Sequence, residues 1–373
     1  MEQADVLIIG GGVIGLTTAY FLVGDGVGVQ VVDKGDFGQE ASWAGAGILP
    51  PGNLFRARTP IDQLRALSAD RFPALSAELR ERTGIDNGYL RCGGLEVVRQ
   101  EDEAAVNEWR SEGIAFELLP EKELRRLEPA LAPGLRAYHL PDMAQLRNPR
   151  HLKALLAGCE SLGVRLRPGC LVQGFERRGD RIIAARVGDE TIEAEQFLVT
   201  AGAWTDALLE RVGWRPGVRP VRGQIALLNT GRPLFRRILL DGARYLVPRP
   251  DGRVLVGSTE EDVGFDKRTT AGAIADLLGL AGALVPRLAD AHLERCWAGL
   301  RPGSPDGLPF LGPVPGISNL FVAAGHFRAG IQLSPATGLV MKELLTGRLP
   351  SVPLESFSLD RQPAAPHCPA FRS

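Results

Sequence analysis

Residues 5–15 read DVLIIGGGVIG. An apolar run of strand character ends in Gly10, Gly12 and Gly15, spaced as G-x-G-x-x-G, and the helical pattern LTTAYFLVGDG follows. A second apolar strand, VGVQVVD, closes on Asp33, the acid that a dinucleotide-binding unit carries about 20 residues past its glycines. Gly10 makes the tight turn, Gly12 lets backbone approach a pyrophosphate, and Gly15 lets the helix pack closely. The helix N-terminus offers free N–H groups and a positive dipole end to the phosphates. Asp33 accepts hydrogen bonds from ribose hydroxyls and repels a 2′-phosphate. One G-x-G-x-x-G among 45 glycines is weak; strand, glycines, helix, strand and acid in that order are a far more specific signal. The alternative is a tight βα turn without a ligand. Gly10, Gly12, Val13, Ile14, Gly15, Asp33 and its neighbour Lys34 are the residues assigned to the dinucleotide.

The next stretch, GQEASWAGAGILPPGN at 38–53, favours FAD over NAD. Ala41, Ser42, Ala46 and Gly47 are small enough to let backbone approach a large flat group, and Ile48 precedes a proline break. A glycine-rich surface loop is the alternative, for which Trp43 and Ile48 are odd choices.

Composition excludes several classes. Lys+Arg 43 against Asp+Glu 44 gives a net charge of −1, which argues against a nucleic-acid partner or a polybasic membrane surface. No apolar run approaches the about 20 residues a membrane-spanning helix needs. MEQADVLIIG has acidic residues where a secretory signal is cationic. Five scattered cysteines form no CxxC, and five histidines show no ligand spacing. The expectation is a soluble, reduced, cytoplasmic chain with no metal.

The segments VLIIGGGVIGL, EASWAGAGIL, LVTAGAWT, YLVPRPDGRVLVGST, WAGLRPGSPDGLPFLG and AAGHFRAGIQLSPATG resemble, in order, the glycine oxidase branch of the D-amino acid oxidase superfamily, which includes the thiamine-pathway oxidase. The likeness runs from about residue 5 to about 348. It implies an α/β fold (α+β overall): a two-dinucleotide-binding-type FAD domain with an inserted antiparallel-sheet substrate domain. The expected division assigns residues 1–85, 144–219 and 296–362 to FAD, and 86–143 and 220–295 to the substrate, with 363–373 a loose tail.

Within that frame, residues 164–202 read as short strands with turns at Gly179-Asp180 and Gly188-Asp189. Residues 220–258 alternate like antiparallel strands with a hairpin at Pro250-Asp251-Gly252. The charged runs ERRGD (176–180) and EKELRRLEP (121–129) read as solvated faces. The resemblance assigns Val172 a backbone contact to the adenine and puts Ala201 and Gly202 near the dinucleotide; a close-packed strand end is the other reading of that pair. It gives the loop His326, Phe327, Arg328, Ala329, Gly330, Ile331 and Gln332 to the flavin ring, ahead of a helix expected over SPATGLVMKELLTG. His326 reads as structural rather than as a base.

Flavin oxidation of an amine asks the protein to position the substrate and bind its carboxylate. A planar guanidinium does so with two parallel hydrogen bonds. Arg301, in GLRPGSPDGLPFLG, matches the family's carboxylate-binding arginine, among glycines and prolines that disfavour helix and central strand. Its alternative is an ion pair with Asp306. Tyr245 matches the tyrosine sharing that carboxylate, against a plain core tyrosine. Arg328 matches a second active-site arginine, against a surface or capping role. Where the family has an apolar methionine, VGSTEED places Glu260, an acid positioned to meet an amine or solvent. Cys296 stands near where some sarcosine oxidases attach flavin covalently, but a buried thiol and non-covalent FAD are expected.

The implied reaction is oxidative deamination of glycine or a similar small amine, sarcosine-like, with oxygen reduced to peroxide. The alternatives are a dehydrogenase subunit passing electrons to a partner chain, as in hydrogen cyanide synthase or proline dehydrogenase, and a non-catalytic flavin-binding protein. Self-association into a homo-oligomer is left open.

Overall fold

The computed structural model describes residues 4–99 and 103–362. The expected tail, 363–373, lies outside the described residues. Ala4–Ile9 sits between Val29–Val32 and Glu190–Val199, parallel to both. Arg165–Arg167 and Leu320–Ala324 extend this parallel core on its two sides. The strand ADVLII is nearly all buried because both of its faces are covered. Val6 and Ile8 pack on the helices Val13–Gly24, Pro60–Thr83, Asn148–Ser161 and Gly330–Leu345. Leu7 and Ile9 pack on the opposite side, with Ile182 and Ala185 of an antiparallel extension formed by Val172–Arg178 and Arg181–Val187. The turns at Gly179-Asp180 and Gly188-Asp189 join these strands.

The second sheet has eight strands in the order His292–Gly303, Arg219–Asn229, Arg253–Gly257, Arg244–Pro248, Ile238–Asp241, Gly94–Val97, Ala137–Leu140, Glu117–Leu119. Its two faces follow the period of two expected of strands. Leu246, Val254 and Val256 pack beneath the helix Ala271–Leu284. Tyr245, Val247, Leu255 and Ile225 point the other way, toward Ala46 and Ile48 of the small-residue stretch. A three-stranded patch pairs Ile48–Leu49 and Leu90–Arg91 with Ala144–Gln145.

Three expectations are corrected, whereas Arg301, expected in neither a helix nor a central strand, lies in the edge strand His292–Gly303, which pairs over its length with Arg219–Asn229. The strand is at the sheet's edge, where a proline leaves no ladder bond unmade on the open side. This strand also runs unbroken through residue 296, so the second sheet keeps the chain to Gly303 instead of releasing it at 295. The last helix starts at Gly330, before Ser334, and continues through Pro335. Proline cannot donate to the Ile331 carbonyl, but the Ser334 hydroxyl does so at 2.9 Å, and Ala336 N donates to Ser68 Oγ at 3.0 Å. Within EKELRRLEP, Glu128 is buried instead of solvated. Its Oε1 accepts from the backbone N–H groups of Arg236 and Arg237 and from Arg237 Nη1.

Candidate active site

The glycine turn is shaped by contacts rather than by flexibility. Gly10 has φ 118°, and a side chain there would lie 2.4 Å from the Thr200 carbonyl oxygen. At Gly15 a Cβ would fall 2.0 Å from the Gly10 oxygen. Gly12 differs: its backbone is ordinary, φ −77°, and a Cβ would meet only Ser42 Oγ at 3.2 Å. That hydroxyl accepts from Val13 N at 3.0 Å, inside the helix's first turn. Asp33 holds the turn as well as facing the cavity. Its two oxygens accept from Gly11 N at 2.7 Å and Gly35 N at 3.0 Å. Burial pushes its carboxyl above the usual range, opposed by those two N–H groups.

One cavity of about 390 Å³ reaches from this turn to Arg301 and Arg328. Gly10, Gly12, Val13, Ile14, Asp33 and Lys34 line it, as do Ala41 and Ser42. So do Val172, Ala201, Gly202 and, from the last loop, His326, Phe327, Arg328, Gly330 and Ile331. Other assigned residues lie outside its wall. Gly15 packs beneath the turn, while Ala46 and Ile48 belong to the apolar layer around Tyr245. Gly47, at φ 73°, sits against the Leu146 carbonyl. Ala329 caps the last helix, and Gln332 opens on a separate cavity of about 440 Å³. Sequence reading missed Trp204, whose ring lies 3.1 Å under Lys34 Nζ at the cavity rim.

The residues fit a flavin dinucleotide. Gly202 leaves open the space a Cβ would fill, and a Cβ at Gly12 would touch only the Ser42 hydroxyl. Gly12 leads the helix Val13–Gly24, whose first N–H groups have no intrahelical partner. The helix Gly330–Leu345 presents a second N-terminus to the same cavity. His326 beside it is buried, bonded through Nε2 to Thr337 Oγ1 at 3.1 Å, and pushed down to about 3 by burial, so it is neutral and a poor base.

At the far end, register brings the substrate candidates onto one face. Tyr245 pairs with Gly257, Gly257 with Ile225 and Ile225 with Trp297; Arg301 follows Trp297 on the same side. Two glycines make room for them. A Cβ on Gly223 would lie 2.1 Å from Arg301 Nη1, and one on Gly257 would lie 2.6 Å from the Tyr245 hydroxyl. Arg301 Nη1 donates to the Thr259 carbonyl at 3.1 Å and Nη2 to Ser258 Oγ at 2.5 Å. Burial pulls the guanidinium below its ordinary range, and Tyr245 opposes that shift. Asp306, the alternative partner, is taken by Arg361 through two 2.8 Å bonds. Glu260 is exposed to solvent on one side and pairs with Arg328 at 3.2 Å. Cys296 packs with the layer under Ala271–Leu284, away from the cavity.

Gly223, Gly257, Ser258 and Thr259 were not singled out from sequence. The signal was present as glycines interrupting VRGQIALL and RVLVGS, where a strand glycine marks a close approach. Gly223→Ala is expected to lower kcat/KM about 10- to 100-fold with FAD content unchanged, because it displaces the guanidinium without touching the dinucleotide. Parallel activity and absorbance measurements check this; wild-type kinetics would refute it.

The family model for FAD-dependent oxidoreductases matches residues 5–344. The chain belongs to this family. Within the FAD-dependent oxidoreductases it is 36% identical over 370 residues to the glycine oxidase of Pseudomonas aeruginosa, covering 98% of this chain and 99% of that one. The crystal structure of glycine oxidase from Geobacillus kaustophilus superposes with a TM-score of 0.90 at 35% identity, over 97% of this chain and 100% of the other. That of iminodiacetate oxidase from Chelativorans sp. BNC1 gives 0.84 at 30%, over 97% and 100%. The α/β fold is thus that of the family, and its second sheet, expected to be antiparallel, is mixed, because Ile238–Asp241 pairs parallel with Gly94–Val97.

Proposed function

We propose that this FAD-dependent oxidoreductase oxidises glycine or a similarly small amine bearing one carboxylate. The product is an imine that water converts to the keto acid, and oxygen is the final acceptor, giving hydrogen peroxide. The observation carrying this reading is Arg301: a guanidinium on the cavity wall whose partners, Ser258, Thr259 and Tyr245, are all uncharged. Such a group retains its charge for an incoming carboxylate. FAD supplies the acceptor for a hydride from the substrate α-carbon. The chain's own residues do the rest. Arg301 and Tyr245 fix the carboxylate, and Pro302 with the Asp306–Arg361 pair steadies the backbone that follows. The apolar layer of Ile225, Val247 and Leu255 behind Tyr245 excludes water.

The same reading divides the chain at the sheets. Residues 4–85, 144–218 and 304–362 form the cofactor part, and 86–143 with 219–303 form the substrate part. FAD is held without a covalent bond, supported by the position of Cys296 on the far side of its sheet. The described cysteines are free thiols, which supports a reducing compartment, the cytoplasm. Among the described residues no helix is long and apolar enough to cross a membrane.

Anaerobic mixing with glycine, sarcosine and carboxylate-free amines is expected to bleach the yellow absorbance with the first two only. Admitting air should restore it and release peroxide, and acid denaturation should release the flavin from the chain. Absence of bleaching by every amino acid would sink the proposal. Bleaching without peroxide would replace oxygen by a partner chain as acceptor.

A further inference from the structure

Besides Arg211, the cavity wall carries the guanidiniums of Arg301 and Arg328, and these two are not equivalent. Arg301 has uncharged partners, and no carboxylate among the described residues lies within ion-pair distance of it. Arg328 is neutralised: Nη1 meets Glu260 Oε2 at 3.2 Å and Nη2 donates to the Ala243 carbonyl at 2.6 Å. Its side chain is 13% exposed, whereas that of Glu260 is 49% exposed. One short segment controls both cations, because Ser258 and Thr259 hold Arg301 while the next residue holds Arg328. Of these two guanidiniums only Arg301 is therefore left without a carboxylate, enough for one carboxylate of a substrate. A second carboxylate on the amine nitrogen would have to displace Glu260 from Arg328 or lie beside its negative charge, and like charges at that range repel.

We propose that Glu260 is a specificity-determining residue that occupies Arg328 and thereby restricts the site to monocarboxylate amines, excluding N-carboxymethyl ones. This rests on the carboxylate-binding role of Arg301 given above. Glu260 acts by charge: its removal frees a mostly enclosed guanidinium to take the second carboxylate bidentately.

Two unreactive acids test this, (methylthio)acetate and thiodiacetate, in which sulfur replaces the amine nitrogen. Their affinities for the flavin-loaded protein are measured by calorimetry. In Glu260→Gln the ratio of thiodiacetate to (methylthio)acetate affinity is expected to rise at least about tenfold over the unaltered chain. Glu260→Ala, which removes the charge with a different side chain, should do the same. In the double variant Glu260→Gln/Arg328→Met the gain should vanish. A ratio unchanged in both single variants, or a gain that survives loss of Arg328, would overturn the proposal. Arg301→Met serves as the separate control: undiminished (methylthio)acetate binding there would refute the carboxylate reading itself and not merely the role of Glu260.

Discussion

Arg301→Ala is expected to lower kcat/KM for a small amino acid by about 2–5 kcal/mol, roughly 30- to several-thousand-fold. The variant removes a cation of the cavity wall that has no carboxylate partner among the described residues, leaving Ser258 Oγ and the Thr259 carbonyl without their donor. Arg301→Lys should recover only part of the loss, since a point charge cannot reproduce a planar fork that donates to protein and substrate together. FAD content should remain near that of the unaltered chain, because Arg301 belongs to the second sheet and the glycine turn to the first. Amines without a carboxylate should be oxidised as slowly as before. Equal losses on amines with and without a carboxylate would show that Arg301 holds the strand end rather than the substrate.

Gly12→Val should yield a folded protein without flavin. A Cβ at Gly12 meets no backbone and only the Ser42 hydroxyl at 3.2 Å, and φ of −77° suits any residue. Its atoms would occupy the space where a pyrophosphate approaches the helix N-terminus. The purified variant should be colourless, and its Tm should match that of the unaltered chain stripped of flavin, since bound ligand stabilises by mass action. Gly15→Val is the contrast, because its Cβ would strike the Gly10 carbonyl at 2.0 Å and prevent the turn from forming. Full FAD content in Gly12→Val would move the phosphate site elsewhere.

What was legible in the amino-acid order was what short-range chemistry dictates. The glycine turn, its helix and the acid after the second strand sit within residues 5–33, so spacing alone specified the parallel unit. The hairpin at Pro250-Asp251-Gly252 and the turns at Gly179 and Gly188 were likewise local. Arg301 and Tyr245 were named through a resemblance, but nothing in their neighbourhoods says which face they share. Tertiary pairing decided that, by placing Gly257 opposite Tyr245 and running Arg301 along the edge beside Gly223. Long-range partners also decided the misread elements. Pro335 stays in a helix because Ser334 and the distant Ser68 complete the hydrogen bonds around it. Glu128 is buried because Arg237, more than a hundred residues away, comes to meet it. The pairing of Glu260 with Arg328 is of the same kind: each charge was visible in sequence, but only the fold puts them 3.2 Å apart, since a side chain's partner depends on which strands close over it.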